Sequence, residues 1–409
     1  MAPRSAGVCR RRSVDVPQLR YALTAMKPPL AVCVLRRLIV ALVFALLSRD
    51  TRVFAHPHHL QAAPAPAPQQ SPTPAPPGTI DPSAKGVSGT GALRFRVLLT
   101  SAGLPEEARK VLVSAHGGFA VDHRPGKEET YFALPGAGIL RMGADLKQIA
   151  LVPTAAEMKD TNLHNTKIWY APDGAAFLSF PANDAGRVFT TSLAGELLNT
   201  LSRPTESDEF GLPSVRDYFA GGGAFVPTDV EFLDGLLYVT TGYSSLDTVL
   251  TARVSSYRPL KAAWYDLAFG GRGSAPGQLG TGHGITVPPG TKRIDVADRA
   301  NGEIDRFTRH GQYLSTLRMP LGSLPCDIDY LGRYAVVAAL DGPDKSKGAP
   351  IYLLEDDRLV STIFPKDDLG LVNFKHVHNA VLREAGGKLY IIAQAWNPGD
   401  FAVLEQVVP

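Results

Sequence analysis

The chain has 409 residues and a formal net charge of +3, a length that allows two or three domains. Its positive charge comes from residues 1–55, which hold ten Lys and Arg against two Asp, so the remaining residues carry a net charge of −5. The basic balance therefore belongs to the leader, and a nucleic-acid partner is not indicated.

Residues 1–55 have the pattern of an export signal. The apolar run Leu38–Leu47 follows a pair of arginines and is shorter than the ~20 residues that cross a bilayer. Small residues ending at Ala55 offer a cleavage site. We expect export to the periplasm or the extracellular space, with no stable membrane span after cleavage. A start at Met26 and an uncleaved, membrane-anchored leader remain alternatives.

Residues 56–88 are rich in Pro and Ala, and this composition predicts a disordered, semi-rigid linker. The segment contains His56, His58 and His59, which could capture a metal at a new amino terminus. Pro57 removes a backbone nitrogen that such chelation uses, so a solvated tail is the alternative.

Residues 89–409 contain one short pattern repeated six times. The residues at the shared position are His116, His164, Thr228, His283, Cys326 and His378, and each is followed by Gly, Asn or Asp. Successive positions are 48, 64, 55, 43 and 52 residues apart, near the roughly 40 to 50 residues of one propeller blade. The repeat thus predicts a single domain of six blades.

Hairpin signals follow the repeated positions. Asp234-Gly235 and Gly386-Gly387 each separate two β-rich runs, as type I′ turns require. After His378 only 31 residues remain, enough for about three strands. We expect Leu93–Leu99 to supply the fourth strand, which gives an all-β, six-bladed β-propeller closed by an N-terminal strand.

Equivalent positions of all blades meet around the axis of a propeller, so the repeated residues should converge at one tunnel mouth. Alternate blades contribute His164, His283 and His378, and three histidines with an open fourth position suit zinc. His116 is a candidate auxiliary ligand. The alternative is that these histidines only serve tight backbone packing at turns. Cys326 is the one cysteine after the leader, so no internal disulfide is expected.

The second strand of each blade returns to the same face. Tyr243 lies there and could act as a general base or acid if a nearby dication lowered its pKa; its alternative role is a packed rim aromatic. Arg299 could bind a carboxylate through a forked pair, or belong only to the turn Asp298–Gly302. Both are candidate catalytic residues.

Four segments of the fourth unit resemble an NHL repeat: Phe269–Gly273, Gly277–Leu279, His283–Ile285 and Val296–Gly302. Within that class, roughly residues 110–405 are similar to the peptidyl-α-hydroxyglycine α-amidating lyases. These six-bladed enzymes release a peptide amide and glyoxylate.

The resemblance implies zinc held by His164, His283 and His378, with Tyr243 as the catalytic tyrosine. It implies cleavage of a carbon–nitrogen bond in a hemiaminal-like substrate.

The chain departs from the family pattern at three places. The stretch Phe132–Pro135 stands where the family has an arginine, with Arg124 and Arg141 displaced from that position. His376 replaces a methionine. Asn379 replaces an aspartate that binds calcium in the family, which weakens the resemblance at that position. Calcium is kept as a second candidate metal, and His376 and Asn379 as candidate auxiliary ligands.

Two functions follow. The first is an exported, monomeric zinc lyase that takes a small-molecule or peptide substrate at the tunnel mouth. The second is a non-catalytic propeller that binds a peptide, glycan or partner protein on its disc face, because a fold alone does not determine function. Specificity should lie in loops 203–226 and 341–349.

Overall fold

The computed structural model describes residues 74–205, 208 and 210–408. The predicted export signal lies outside these residues, as do the three linker histidines. In the described part of the chain, the strands form six antiparallel sheets, each of four or five strands. The all-β, six-bladed propeller is therefore confirmed.

The strands are numbered in chain order. The first two, which join the last sheet, are β1 (Ser88–Thr90) and β2 (Leu93–Thr100). Blade 1 contains β3 (Phe119–Val121), β4 (Thr130–Leu134), β5 (Gly138–Met142) and β6 (Ile149–Val152). Blade 2 contains β7 (Lys167–Tyr170), β8 (Ala176–Ala182), β9 (Arg187–Ser192) and β10 (Leu197–Ser202). Blade 3 contains β11 (Asp229–Leu233), β12 (Leu236–Thr240), β13 (Thr248–Tyr257) and β14 (Leu260–Gly270).

The second half repeats this arrangement. Blade 4 contains β15 (Gly282–Thr286), β16 (Arg293–Asp298), β17 (Glu303–Thr308) and β18 (Tyr313–Arg318). Blade 5 contains β19 (Pro325–Leu331), β20 (Tyr334–Ala339), β21 (Ile351–Glu355) and β22 (Arg358–Ile363). Blade 6 contains β23 (Val377–Ala385), β24 (Lys388–Ala395) and β25 (Asp400–Gln406).

The ring closes in blade 6, whose strand order is β1-β2-β25-β24-β23. Strand β2 pairs antiparallel with β25, with Arg96 opposite Glu405 and Val97 opposite Leu404. The first strands of neighbouring blades contact one another around the axis. The predicted closure by an N-terminal strand is confirmed, and it leaves blade 6 without an unpaired edge at β25.

The end of the segment assigned to the linker contacts the propeller. The N–H of Gly78 donates to the buried carboxylate of Asp400 at 2.9 Å, and the N–H of Asp81 donates to the carbonyl of Gly370 at 2.7 Å. Residues 88–90 extend blade 6 as β1. These partners are about 300 residues away in sequence, so composition alone does not indicate the contacts.

Packing between blades, rather than cross-linking, stabilises the ring. Apolar side chains of neighbouring sheets are buried together, and Phe180, Phe189 and Phe307 are almost fully buried. Each such side chain contributes roughly 1.5–3 kcal/mol through burial. The described residues include a single cysteine, Cys326, which is buried and unpaired.

In the described part of the chain, two short α-helices lie between blades, at Glu106–Leu112 and Pro213–Ala220, with 3₁₀ turns at Ser101–Gly103 and Ala156–Met158. The second helix lies in the loop 203–226, whose shape the sequence did not predict, and it buries Phe219 against blade 3. Among the described residues, no helix has the length and apolar character needed to cross a membrane.

Candidate metal centre

The repeated positions lie where the first strand of each blade begins. In three blades the register of this strand against the second one shifts there, between Gly282 and Ile285, Pro325 and Asp327, and Val377 and Asn379. Such a β-bulge removes one residue from the ladder and changes the direction of its side chain. The bulges occur at the positions of His283, Cys326 and His378.

Three histidines from alternate blades meet on the tunnel axis. Ring centroids of His164 and His283 are 4.7 Å apart, those of His164 and His378 are 4.7 Å apart, and those of His283 and His378 are 4.8 Å apart. All three side chains are fully buried. The predicted convergence is thus present as a nearly equilateral triangle.

Each of the three rings is oriented by a backbone carbonyl of the next blade. The Nδ1–carbonyl pairs are His164 with Thr228 at 2.6 Å, His283 with Cys326 at 2.7 Å and His378 with Gly117 at 2.7 Å. A carbonyl oxygen only accepts, so Nδ1 carries the proton and Nε2 carries the lone pair. Metal-ligating histidines commonly use this arrangement.

The three Nε2 lone pairs face one another without a proton between them. The Nε2 atoms of His164 and His378 are only 3.2 Å apart, a distance at which two lone pairs repel. Burial holds the pKa of His164, His283 and His378 well below the ordinary value, so the rings are neutral and can ligate a metal. A cation at the centre would satisfy all three nitrogens.

His116 adds a fourth imidazole with different surroundings. One nitrogen of each of the four histidines lies within 4.8 Å of the others. His116 is half-buried, stacks on Trp396 at 4.6 Å, and its Nδ1 lies 3.4 Å from the amide of Asn162. Burial lowers its pKa to about 3. No backbone carbonyl is bonded to this ring in the described residues, so His116 is a fourth candidate ligand with a looser orientation.

The sequence did not single out Asn162. The one sequence feature that could have indicated a role for Asn162 is its position two residues before His164. Trp396 lies in a stretch that topology placed near the tunnel mouth, but its stacking on His116 was not anticipated.

Tyr243 and Arg299 both contact the histidine cluster. The Tyr243 hydroxyl lies 3.0 Å from Nε2 of His283 and 3.3 Å from Nε2 of His164, and it donates because those nitrogens carry lone pairs. Arg299 Nη1 donates to the same oxygen at 3.1 Å. Burial raises the pKa of Tyr243, and the Arg299 charge partly offsets this rise. The phenol is therefore protonated in the metal-free site.

The turn that carries Tyr243 is fixed by its neighbours. A Cβ atom on Gly242 would lie 2.3 Å from the carbonyl oxygen of Gly282, so only glycine lets this turn approach β15. Thr241 Oγ1 donates to the carbonyl of Thr248 at 2.8 Å and accepts from its N–H at 3.0 Å. The Thr-Thr-Gly-Tyr sequence thereby places the phenol against the histidines.

Two residues proposed as auxiliary ligands lie outside the cluster. His376 Nδ1 is bonded to the carbonyl of Leu340 at 2.7 Å. Asn379 accepts from the N–H of Phe119 at 2.9 Å and donates to Asp327 at 2.5 Å, so both ends of its amide are used for packing. His376 does not belong to the group of clustered histidine nitrogens in the described chain.

Cys326 and Arg124 do not contribute a ligand or a catalytic cation. Burial raises the pKa of the Cys326 thiol to about 11, so it stays protonated, and its carbonyl orients His283. Arg124 pairs with Asp122 at 2.6 Å beyond the far end of β3. The family's first-blade arginine therefore has no counterpart at Arg124.

The fold and the site together define a six-bladed β-propeller with a buried four-histidine cluster that could hold a metal ion. No family model matches the chain, and no curated protein matches it. The resemblance to the amidating lyases therefore stays a prediction from the motif residues.

Among solved structures, the chain is similar to the selenomethionine-substituted virginiamycin B lyase from Staphylococcus aureus, with 12% identity and a TM-score of 0.42 over 71% of this chain and 96% of that chain. A catalytically inactive variant of that lyase with quinupristin gives 12% identity and a TM-score of 0.44 over 76% and 100%. Hydrazine synthase from Kuenenia stuttgartiensis gives 15% identity and a TM-score of 0.33 over 56% and 55%.

Proposed function

We propose that the protein is an exported zinc-dependent lyase that cleaves the carbon–nitrogen bond of a peptidyl-α-hydroxyglycine or a similar hemiaminal. The observation that carries the proposal is the convergence of three Nε2 lone pairs on one buried point. Each ring is fixed by a carbonyl, and Tyr243 is the one described hydroxyl bonded to those nitrogens. The leader sequence supports export.

The donor set fits zinc. Three neutral imidazoles with room for a further ligand form the usual protein environment of catalytic zinc. A bound zinc would polarise a substrate oxygen and lower the pKa of a nearby acid. The rings of His164, His283 and His378 are oriented without a metal, because Nδ1 of each ring donates a hydrogen bond to a backbone carbonyl. Nε2 of each ring is left to bind the metal.

Tyr243 is placed to move the proton of the substrate hydroxyl. Its oxygen would take that proton, a carbon–oxygen double bond would form, and the carbon–nitrogen electron pair would leave with the amide nitrogen. The same proton, delivered from Tyr243, would complete the peptide amide, and glyoxylate would be the second product. Arg299 would stabilise the phenolate through its hydrogen bond of 3.1 Å.

Arg299 also suits the carboxylate of such a substrate. It is half-buried, and no carboxylate pairs with it in the described part of the chain, where it contacts the Tyr243 hydroxyl and the Cys326 side chain. A half-buried guanidinium without a counter-ion favours an anionic ligand. Glyoxylate and its hydroxyglycine precursor both carry one.

The experiment is an assay of glyoxylate release from a peptide that ends in α-hydroxyglycine, with the zinc-loaded protein. We expect release by the wild type and a loss of about 10²- to 10⁴-fold in Tyr243→Phe, the range for a removed general base. Tyr218→Phe is the matched control, because the Tyr218 hydroxyl bonds the carbonyl of Ala224 outside the cluster. This control should keep wild-type activity.

Two outcomes would reject the proposal. If the zinc-loaded protein releases no glyoxylate, the carbon–nitrogen lyase assignment is wrong. If the protein binds no metal and no glyoxylate forms, the propeller is better explained as a binding module for a peptide, glycan or partner protein.

A further inference from the structure

Blade 4 contains a second cluster of ligand-type side chains, separate from the histidines. Asp298 ends β16 and lies opposite Glu303 at the start of β17, and Asp305 follows two residues later on the same face of that strand. One carboxylate oxygen of each residue lies within 4.8 Å of the others. Asp298 and Asp305 are 0% exposed and Glu303 is 5% exposed.

The negative charges of these three carboxylates have few cationic partners among the described residues. Glu303 forms an ion pair with Arg318, whose side chain is 77% exposed. No lysine or arginine is paired with Asp298 or Asp305 in the described residues. Three buried carboxylates with one exposed counter-ion are expensive to keep ionised, and burial raises the pKa of Asp298 to about 7.

Two oxygens in the cluster, Glu303 Oε2 and Asp305 Oδ2, have no hydrogen-bond partner in the described chain, and only the first of them has an ion pair, with Arg318. Thr316 donates to Oδ1 of Asp305 at 2.5 Å, whereas Oδ2 accepts no hydrogen bond in the described residues. The amide of Gly277 faces this carboxylate and lowers its pKa only in part, since burial has the larger effect. Buried, unpaired carboxylate oxygens are rare in proteins unless they have a further ligand.

We propose that Asp298, Glu303 and Asp305 form a binding site for calcium. Carboxylate oxygens are the ligands of hard cations, and Ca²⁺ accepts irregular oxygen sets more readily than Mg²⁺, which demands octahedral geometry and loses its waters reluctantly. The oxygens of Asp298 each accept one hydrogen bond, from Gly280 and Asn301, and each retains a second lone pair for a cation.

The position gives such a cation a role. Asp298 is followed directly by Arg299, and the N–H of Arg299 donates to the carbonyl of Thr281 at 3.1 Å. A cation on Asp298 would therefore stabilise the turn that carries Arg299 towards Tyr243. The site is distinct from the histidine cluster, and it does not depend on the proposed reaction.

The test measures calcium binding by the purified, chelator-treated protein. Binding is measured by isothermal titration calorimetry, and its effect on stability by thermal unfolding with and without calcium chloride. We expect one calcium per chain and a rise of the melting temperature in the wild type. Asp305→Asn should weaken calcium binding at least ~10-fold, because it removes a charged ligand. Glu355→Gln is the matched control, since Glu355 pairs with the exposed Arg333 on blade 5.

The melting temperature of Asp305→Asn relative to the wild type should also change sign when calcium is added. A carboxylate with only a structural role would not show this change. Without calcium, this variant should melt at or above the wild-type temperature because one repelling charge is gone; with calcium, it should melt below the wild type. Glu303→Gln tests the same site independently if Asp305→Asn fails to fold. His283→Ala should bind calcium normally.

The proposal is overturned if the wild type binds no calcium, or if both cluster variants bind it as tightly as Glu355→Gln. It is also overturned if His283→Ala abolishes calcium binding, because the cation would then belong to the histidine cluster.

Discussion

The tunnel contains two groups of buried polar side chains, and only one of them includes a cationic side chain of the protein. At the mouth, three histidine nitrogens face one another. Deeper along the first strands, Lys167 is surrounded by carboxylates of blades 3 and 5. Its Nζ donates to Ile285 O at 2.9 Å and Thr286 Oγ1 at 3.0 Å, and lies 3.4 Å from Glu231.

The comparison separates a centre that includes a cation of its own from one that does not. The Lys167 charge offsets part of the charge of the carboxylates around it, although burial keeps the pKa of Asp229, Asp327 and Asp329 raised. In the histidine centre, the three Nε2 atoms are all hydrogen-bond acceptors. Among the described residues, the Tyr243 hydroxyl donates to them. A ligand-free fold can hold the first arrangement at equilibrium, whereas the second could hold a metal ion.

The largest expected effect comes from breaking the lysine centre. Lys167→Met keeps the length of the side chain but leaves Asp229, Glu231 and their neighbours without a cation. Removing one partner of a buried charge group costs about 3–5 kcal/mol, and we expect that loss in the free energy of unfolding measured in urea. Lys110→Met, at an exposed pair with Glu106, should cost less than about 0.5 kcal/mol. Equal losses in both variants would contradict the comparison.

Zinc removal should have the next largest effect, and it should act at the histidine centre. At a free zinc concentration of a hundred times the dissociation constant, binding adds about 2.7 kcal/mol to stability. With calcium kept present, addition of a zinc-selective chelator should therefore lower the melting temperature of the wild type and leave that of His283→Ala unchanged. A chelator effect of equal size in both proteins would show that the stabilising metal is bound elsewhere.

A smaller, pH-dependent effect is expected at Asp122, near the far end of the tunnel. Burial opposes its ionisation, but hydrogen bonds from Arg124 and Tyr170 and the Arg124 charge together outweigh burial and lower its pKa. The stabilisation is therefore present above the unfolded-state pKa of about 3.9 and is lost as the pH falls through the lower folded-state value. Asp122→Asn should cost about 1.5 kcal/mol at pH 7.

The measurement for Asp122 is urea unfolding of the wild type and Asp122→Asn at several pH values. Their difference in free energy of unfolding should shrink as the pH approaches 3. A difference that grows on acidification would show that Arg124 does not hold this carboxylate ionised.

The repeat predicted much of this architecture because its signals are local. Hairpin pairs such as Asp234-Gly235 adopt the positive φ values that their turns require, 51° and 82°. The alternation of His164, His283 and His378 was visible along the chain, and ring closure converts it into a triangle. The proximity of Tyr243 followed from strand direction alone.

What the sequence did not show depends on contacts between distant blades. Lys167 lies beside Glu231, which is 64 residues away, and the carbonyl that orients His378 belongs to Gly117, which is 261 residues away. The sequence did not indicate the carboxylate cluster of blade 4, for another reason. Asp298 was read as part of a turn, and the burial that makes it unusual comes from packing by neighbouring segments.

The central claim is that the three buried histidines bind a metal ion, and metal analysis of the purified protein tests it most directly. We expect about one zinc per chain in the wild type, as for a single three-histidine site. We expect a strong loss of zinc in His283→Ala, with a circular dichroism spectrum unchanged from that of the wild type. A wild type without metal, or a folded variant that retains its full metal content, would contradict it.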